Sequence, residues 1–362
     1  AQTLVTSGYH RTPTEMGKKH NTHIAAGGAR LAYRRGALLL GATVVTSALD
    51  REIQPQRKTL YRQYYAHGRH FTNLGADYRY MHHRLALSGE TATDGHGALA
   101  TVNVMSVQPS ARISVVAIQR FYSYRYTSLY GNSFSEGGHT QNESGLYLGA
   151  TWNPLAHLTL QGYADHAYFP WARYQVSQTS HATDLLLQAT YRRRHWTLTA
   201  RHRSHLRQKD NEAKTALTAN DDHRERLSLA CDINRMTLKT QVDMSHTNYK
   251  QSDSGWMISQ QMAWSLSHIQ LHAMAAYFDT DSYQSRIYVY ERQLQHEFYF
   301  PTYYGQGMRL ALAAQADTGR RLRLALRLGH TKYFDRHTIG SGLQLINHSC
   351  QTDLDLQLRL KL

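Results

Sequence analysis

The chain closes on TDLDLQLRLKL (352–362), where Leu354, Leu356, Leu358 and Leu360 alternate with Asp353, Asp355, Gln357, Arg359 and Lys361. A period of two sends alternate side chains to opposite faces of an extended strand. One face is pure leucine and the other mostly charged, so the two faces meet different surroundings. The pattern recurs upstream. In RRLRLALRLGH (320–330), Leu322, Leu324, Leu326 and Leu328 oppose Arg321, Arg323, Ala325 and Arg327. RMTLKTQVDM (235–244) sets Met236, Leu238, Val242 and Met244 against Thr237, Lys239, Gln241 and Asp243. HLTLQGYAD (157–165) and GWMISQQMAW (255–264) behave alike, the latter with Trp256, Ile258, Met262 and Trp264 on one face.

Very short polar turns join these segments in pairs: YRRGA (33–37), MHHR (81–84), NPLAH (153–157), RRRHW (192–196), DINRM (232–236) and SLSH (265–268). Hairpins need no more than this. Longer hydrophilic segments separate the pairs, at 50–70, 125–143, 207–223 and 334–349. Short and long connections therefore alternate, which describes a meander with one smooth and one elaborated end. Roughly eighteen candidate strands reach the length of about ten residues that a tilted membrane strand requires.

The composition agrees with long extended segments, since 24 glycines and 25 tyrosines accompany only 6 prolines. The most apolar run, GALLLGATVV (36–45), is far too short for a membrane helix. Low mean hydropathy would suggest a soluble protein, but strands with one wet face lower that average in a membrane barrel too. A soluble β-sandwich also alternates, yet its strands are shorter. Aromatics near strand ends, among them Trp152, Trp196, Trp256, Tyr191, Phe278 and the cluster FYFPTYY (298–304), fit the girdles of an outer-membrane barrel. The expected fold is all-β, a transmembrane antiparallel up-and-down β-barrel of roughly 16–18 strands. Residues 1–362 are expected to form one such domain of the bacterial outer membrane. The N-terminal AQTLVTSGYHRTPTEMGKKH lacks the apolar core of a signal peptide. Cys231 and Cys350 read as two isolated thiols.

Two blocks about twenty residues apart are peculiar: SLYGNSFSEGGHTQNESGLYLGATWNP (128–154) and LTLQGYADHAYFPWARYQV (158–176). With EFYFPTYYGQGMRL (297–310), the tail from Lys332 and SGYHRTPTE (7–15), they resemble the barrel region of Bacteroidota outer-membrane proteins named for a helix-hairpin-helix domain. The resemblance spans nearly the whole chain. It implies an outer-membrane barrel; the family's helix-hairpin-helix segment and first strands are not found in this sequence, which is expected to be either the C-terminal part of a longer protein or a divergent short version. It also singles out Phe134, Glu136, Gly137, Asn142, Glu143, Pro170 and Trp171 as the family-motif loop. Leu362 departs from the terminal aromatic usual in such barrels.

The 23 histidines, densest in HRTPTEMGKKHNTH (10–23) and MHHR, match no metal-ligand spacing, so neither metal nor cofactor is expected. GYHRT, DDH and SDSG carry the residue types of nucleophilic catalysis without an oriented grouping, and no enzymatic activity is expected. The lumen is more informative. Arg201, Arg203, Lys239, Asp243, Arg323, Arg327, Asp353, Asp355, Arg359 and Lys361 fall on the polar faces; Leu322, Leu324, Leu326, Leu328, Leu354, Leu356, Leu358 and Leu360 face lipid. Cross-strand Arg–Asp pairs would fill the lumen, whereas unpaired cations would favour anions. On these faces Leu326→Arg should cost about 2–4 kcal/mol and Arg327→Leu far less. NSFSEGGHTQNE (132–143) is expected to cap its strand rather than narrow the pore.

Two functions follow: a porin-like conduit for small solutes, or an accessory barrel with a plugged lumen in an outer-membrane assembly, secretion or uptake complex. Expected partners are outer-membrane lipid and lipopolysaccharide, with other outer-membrane or periplasmic proteins in the second reading. The net charge of +15 would suit nucleic-acid passage, but no residue requires it and nucleic acid is not expected as a partner.

Overall fold

A computed structural model describes residues 4, 8–297, 300–319 and 321–361. Among them the chain forms a one-turn helix at Pro13–Met16 and twenty strands. In chain order these are β1 (Ile24–Arg35), β2 (Leu38–Ile53), β3 (Gly68–His82), β4 (Leu85–Asp94), β5 (Leu99–Ser110), β6 (Ile113–Tyr122), β7 (Glu143–Leu155), β8 (Leu158–Phe169), β9 (Ser180–Arg193) and β10 (Trp196–Asp210). There follow the short β11 (Leu217–Ala219), then β12 (Asp221–Ile233), β13 (Met236–Tyr249), β14 (Gln251–Ser265) and β15 (Ile269–Thr280). A two-residue pair, β16 (Ile287–Tyr288) and β17 (Thr302–Tyr303), precedes β18 (Gln306–Thr318), β19 (Leu322–Tyr333) and β20 (Cys350–Leu360). Eighteen of these strands belong to one sheet, and β16 and β17 pair separately. The fold is all-β, antiparallel and up-and-down, at the upper end of the expected strand number.

Four of the six hairpin turns close through single residues in left-handed backbone: Gly36, His83, Arg194 and Asn234 have φ of 57°, 49°, 52° and 53°. Turns of that hand match the twist of the flanking strands. The alternating faces then emerge from the register. Leu324, Leu326 and Leu328 of β19 stand opposite Leu358, Leu356 and Leu354 of β20, forming a leucine ladder on the exposed outer face. Leu326 is 40% exposed while the adjacent Arg327 is 6% exposed on the inner face.

The chain divides into two compact units, one of Ala1–Trp152, Gly162–Leu185 and Leu206–Ala219, the other of Asn153–Gln161, Leu186–His205 and Asn220–Leu362. In the first, small apolar clusters line the inner face, including Leu49, Ile53 and Phe71, and Ala100, Tyr122 and Tyr126. The second holds the largest cluster, Met257, Met274, Ala276, Phe278, Ile287, Val289, Tyr303 and Tyr333.

That cluster corrects two expectations. Phe278 and Tyr303 are buried on the inner side and are not girdle residues, whereas Trp152, Trp196, Trp256 and Tyr191 are exposed. Phe298 and Tyr299 of the same aromatic stretch, and Leu362, lie outside the described residues. The long connection expected at 207–223 is also mostly strand, since β10 runs to Asp210 and β12 starts at Asp221. Cys231 and Cys350 are free thiols.

Candidate functional site

The longest departure from the meander is in the second unit, between Thr280 and Gln306. This connection folds onto the inner face instead of away from the sheet. Ile287, Val289, Glu291 and Leu294 are buried, and the first two pack with Met257, Met274, Phe278 and Tyr333. Small side chains make the room: Ala311 and Ala313 of β18 and Gly329 of β19 stand on the inner row beneath the loop. A β-carbon at Gly329 would meet the Arg309 guanidinium at 2.2 Å, so any larger residue would displace it.

Two loop residues fix the segment. The Glu291 carboxylate accepts from Arg309 Nε and Nη2 at 3.0 and 2.7 Å, from Arg327 Nη2 at 2.5 Å and from Tyr303 Oη at 3.0 Å. Arg327 continues to Asp355 of β20 at 2.7 Å, and Arg309 to Thr331 at 3.0 Å. Gln295 is the second anchor. Its Oε1 accepts from Arg359 at 2.7 Å and from Arg323 at 3.5 Å, and its carbonyl accepts from Gln357 at 2.9 Å. Arg226 of β12 donates to the Tyr288 carbonyl at 3.1 Å. A buried carboxylate is costly unless ion-paired and fully hydrogen-bonded, and Glu291 is both. Burial pushes the Glu291 carboxyl up, but the hydrogen bonds and charges of Arg309 and Arg327 outweigh it, leaving the group below the usual carboxylate range.

The residues read as lumen-facing fall into place around this loop. Asp243 pairs with Arg226 at 2.5 Å, Arg323 with Asp317 at 2.5 Å, and Asp353 lies 3.6 Å from Arg309. Arg323 stands directly opposite Arg359, a like-charge pair that Gln295 bridges. Arg201 and Arg203 stand on β10 opposite Arg226 and Arg224. Lys239 stands on β13 opposite Gln261. Lys361 is exposed one residue beyond β20, where its backbone amide donates to the Arg321 carbonyl at 2.8 Å. Arg327 also needs correction: it is a buried hub between Glu291 and Asp355, and its removal is not mild.

Phe134, Glu136, Gly137, Asn142, Glu143, Pro170 and Trp171 lie in the first unit, where Glu143 enters a buried network. Arg120 of β6 bonds Glu143 through Nε and reaches Asp165 of β8 through Nη1 at 2.7 Å. Glu143 also accepts from the backbone amides of Glu136 and Gly137 at 2.9 and 2.7 Å, and Phe134 covers the guanidinium at 5.1 Å. Asn142 and Trp171, next to Pro170, exchange two hydrogen bonds of 2.8 and 2.9 Å. The loop folds back on the sheet through groups fixed on β6, β7 and β8. Glu143 and Asn142 were legible as motif residues; Arg120 was not, because its partners are 23 and 45 residues away.

On the outer face, His202, His223 and His246 form a row with ring centroids 6.3 and 6.4 Å apart. Ser204 lies between the first two, 2.9 Å from each, and His202 reaches Glu225 at 3.0 Å. A serine, a histidine and a carboxylate are thus in line, but Ser204 is 8% exposed and closed in by both imidazoles. Among the described residues no three potential ligands converge as a metal site.

No protein-family profile matches the chain, and no curated protein is similar to it. Solved structures are similar in strand arrangement at very low identity. OmpT lacking loop L8, an outer-membrane protein of Vibrio cholerae, is 9% identical with a TM-score of 0.41, covering 94% of this chain and 99% of its own. OccK10 (OpdN) of Pseudomonas aeruginosa is 11% identical with a TM-score of 0.43, covering 92% and 94%. The FrpB iron transporter of Neisseria meningitidis is 8% identical with a TM-score of 0.47, covering 85% of this chain and 59% of its own. Long two-faced strands in up-and-down order, a leucine-lined outer face and a charged inner face are the attributes of the outer-membrane β-barrel class.

Proposed function

We propose that this chain is a porin-like conduit of the bacterial outer membrane, with its lumen narrowed by the inward-folded loop between β15 and β18. The observation that carries the reading is the clamp on Glu291. A loop pinned to the inner wall by two arginines, with Tyr303 of the same loop bracing the carboxylate, narrows a pore without depending on a partner. Beside its apolar clusters the inner face carries charged rows, among them Arg323, Arg327, Asp353, Asp355 and Arg359, which suit solute passage. Planar-bilayer recording tests this. Discrete conductance steps are expected from purified protein, and larger, noisier ones from a variant lacking 286–301. Silence from both would overturn the conduit and favour the accessory-subunit reading, which the buried network around Arg120 and Glu143 would suit as a lumen cap.

Lipopolysaccharide is the partner of the outer face in this reading. The row of His202, His223 and His246 supports it, because imidazoles at one end of the strands can meet anionic headgroups. Membership of the helix-hairpin-helix-named family is part of the same proposal. It is supported by the gathering of Phe134, Glu136, Gly137 and Glu143 around Arg120, and by the seating of Asn142 against Trp171.

A further inference from the structure

A cavity of about 130 Å³ lies on the inner face of the second unit, beside the loop. Lys239 of β13, His272 of β15 and Arg292 of the loop all line it. The register explains why they share one space. Lys239 stands in a row with Gln261, Met274 and Ala311, and His272 stands one step along the next row, between Ala263 and Ala313. The alanine methyl groups leave the volume that larger side chains would fill.

None of the three basic groups has a hydrogen bond or an ion pair among the described residues. The acids nearby are already engaged. Glu291 is taken by Arg309 and Arg327, and Asp243 by Arg226 and Gln241. Lys239 and Arg292 are cations on one recess, the Glu291 carboxylate that also lines it is held by Arg309 and Arg327, and an anion seated between the two cations relieves their repulsion. A cation would be repelled, and an apolar ligand would leave the charges unsatisfied.

The geometry points to this cavity as a binding site for a small oxyanion, a phosphate or carboxylate group. Arg292 supplies a planar fork, Lys239 a point charge and His272 a ring N–H. The inference deepens the conduit reading and rests on it for the route by which solute arrives.

The test is calorimetric titration of the detergent-solubilised full chain with inorganic phosphate at low salt, alongside bilayer recording of the same preparation. Saturable binding is expected, weakened about tenfold or more in Lys239→Gln and in Arg292→Gln by loss of a charge-assisted bond. Arg292 is exposed on the loop, so its substitution leaves the sheet intact. Lys58→Gln, an equal loss of charge on an exposed loop of the first unit, should bind like the parent. Absence of saturable phosphate binding, or equal binding by all variants, overturns the site. A silent bilayer with intact, Arg292-dependent binding overturns the conduit alone and upholds the site. An open channel that binds no phosphate does the reverse.

Discussion

Leu326 and Arg327 are neighbours in sequence and see opposite surroundings, the first on the leucine ladder and the second buried between Glu291 and Asp355. Leu326→Arg should cost about 2–4 kcal/mol of membrane stability if it lies at mid-depth. Arg327→Leu should cost about 1–3 kcal/mol by removing charged hydrogen bonds from Glu291 and Asp355, and should loosen the loop. Urea unfolding in lipid vesicles measures both. An unchanged unfolding curve for Leu326→Arg would contradict the face assignment. In the first unit, Arg120→Leu leaves Glu143 and Asp165 as buried carboxylates without their common partner. About 3–5 kcal/mol of destabilisation is expected, read from the same unfolding curves, and a shift within error would remove the network from the account. The faces of such residues were legible wherever leucine alternated with charge. They were not legible in AMAAYF (273–278), where both parities are apolar, and Phe278 was accordingly misplaced.

Among the elements, the strands follow from local pattern and the inward loop does not. Most strands carry their own period of two, and four of the six tight turns hold a left-handed residue, Gly36, His83, Arg194 or Asn234. The loop has no periodicity, and what holds it is distant: Glu291 meets Arg309 and Arg327 across 18 and 36 residues. Nothing within the segment announces those partners. The loop's hold should depend on acidity. The Glu291 carboxyl lies below its usual range when folded, so its contribution is complete above the unfolded carboxylate value, about 4.3, and is lost as pH falls through the lower folded value. Single-channel noise should therefore rise below about pH 4. Glu291→Gln should be noisy at neutral pH and lose that acid transition; an unchanged transition in Glu291→Gln would assign it to another group.

At the scale of the whole molecule, the central claim is that an all-β meander with a leucine-lined outer face conducts through a polar interior narrowed by its own loop. Fold class, strand number and the two faces were readable because membrane strands repeat one rule many times. The lumen was only half readable, because whether its charges pair depends on register and on a loop that returns from outside the pattern. Cross-strand pairing of Arg327 with Asp355 followed from the expected ladder, and the bridging of Arg323 and Arg359 by Gln295 did not. Planar-bilayer conductance of the purified chain, measured for the parent and for the variant lacking residues 286–301, tests the claim most directly. The account predicts stepwise current from the parent and a larger, noisier current from the deletion; silence from both, with folding intact, would contradict it.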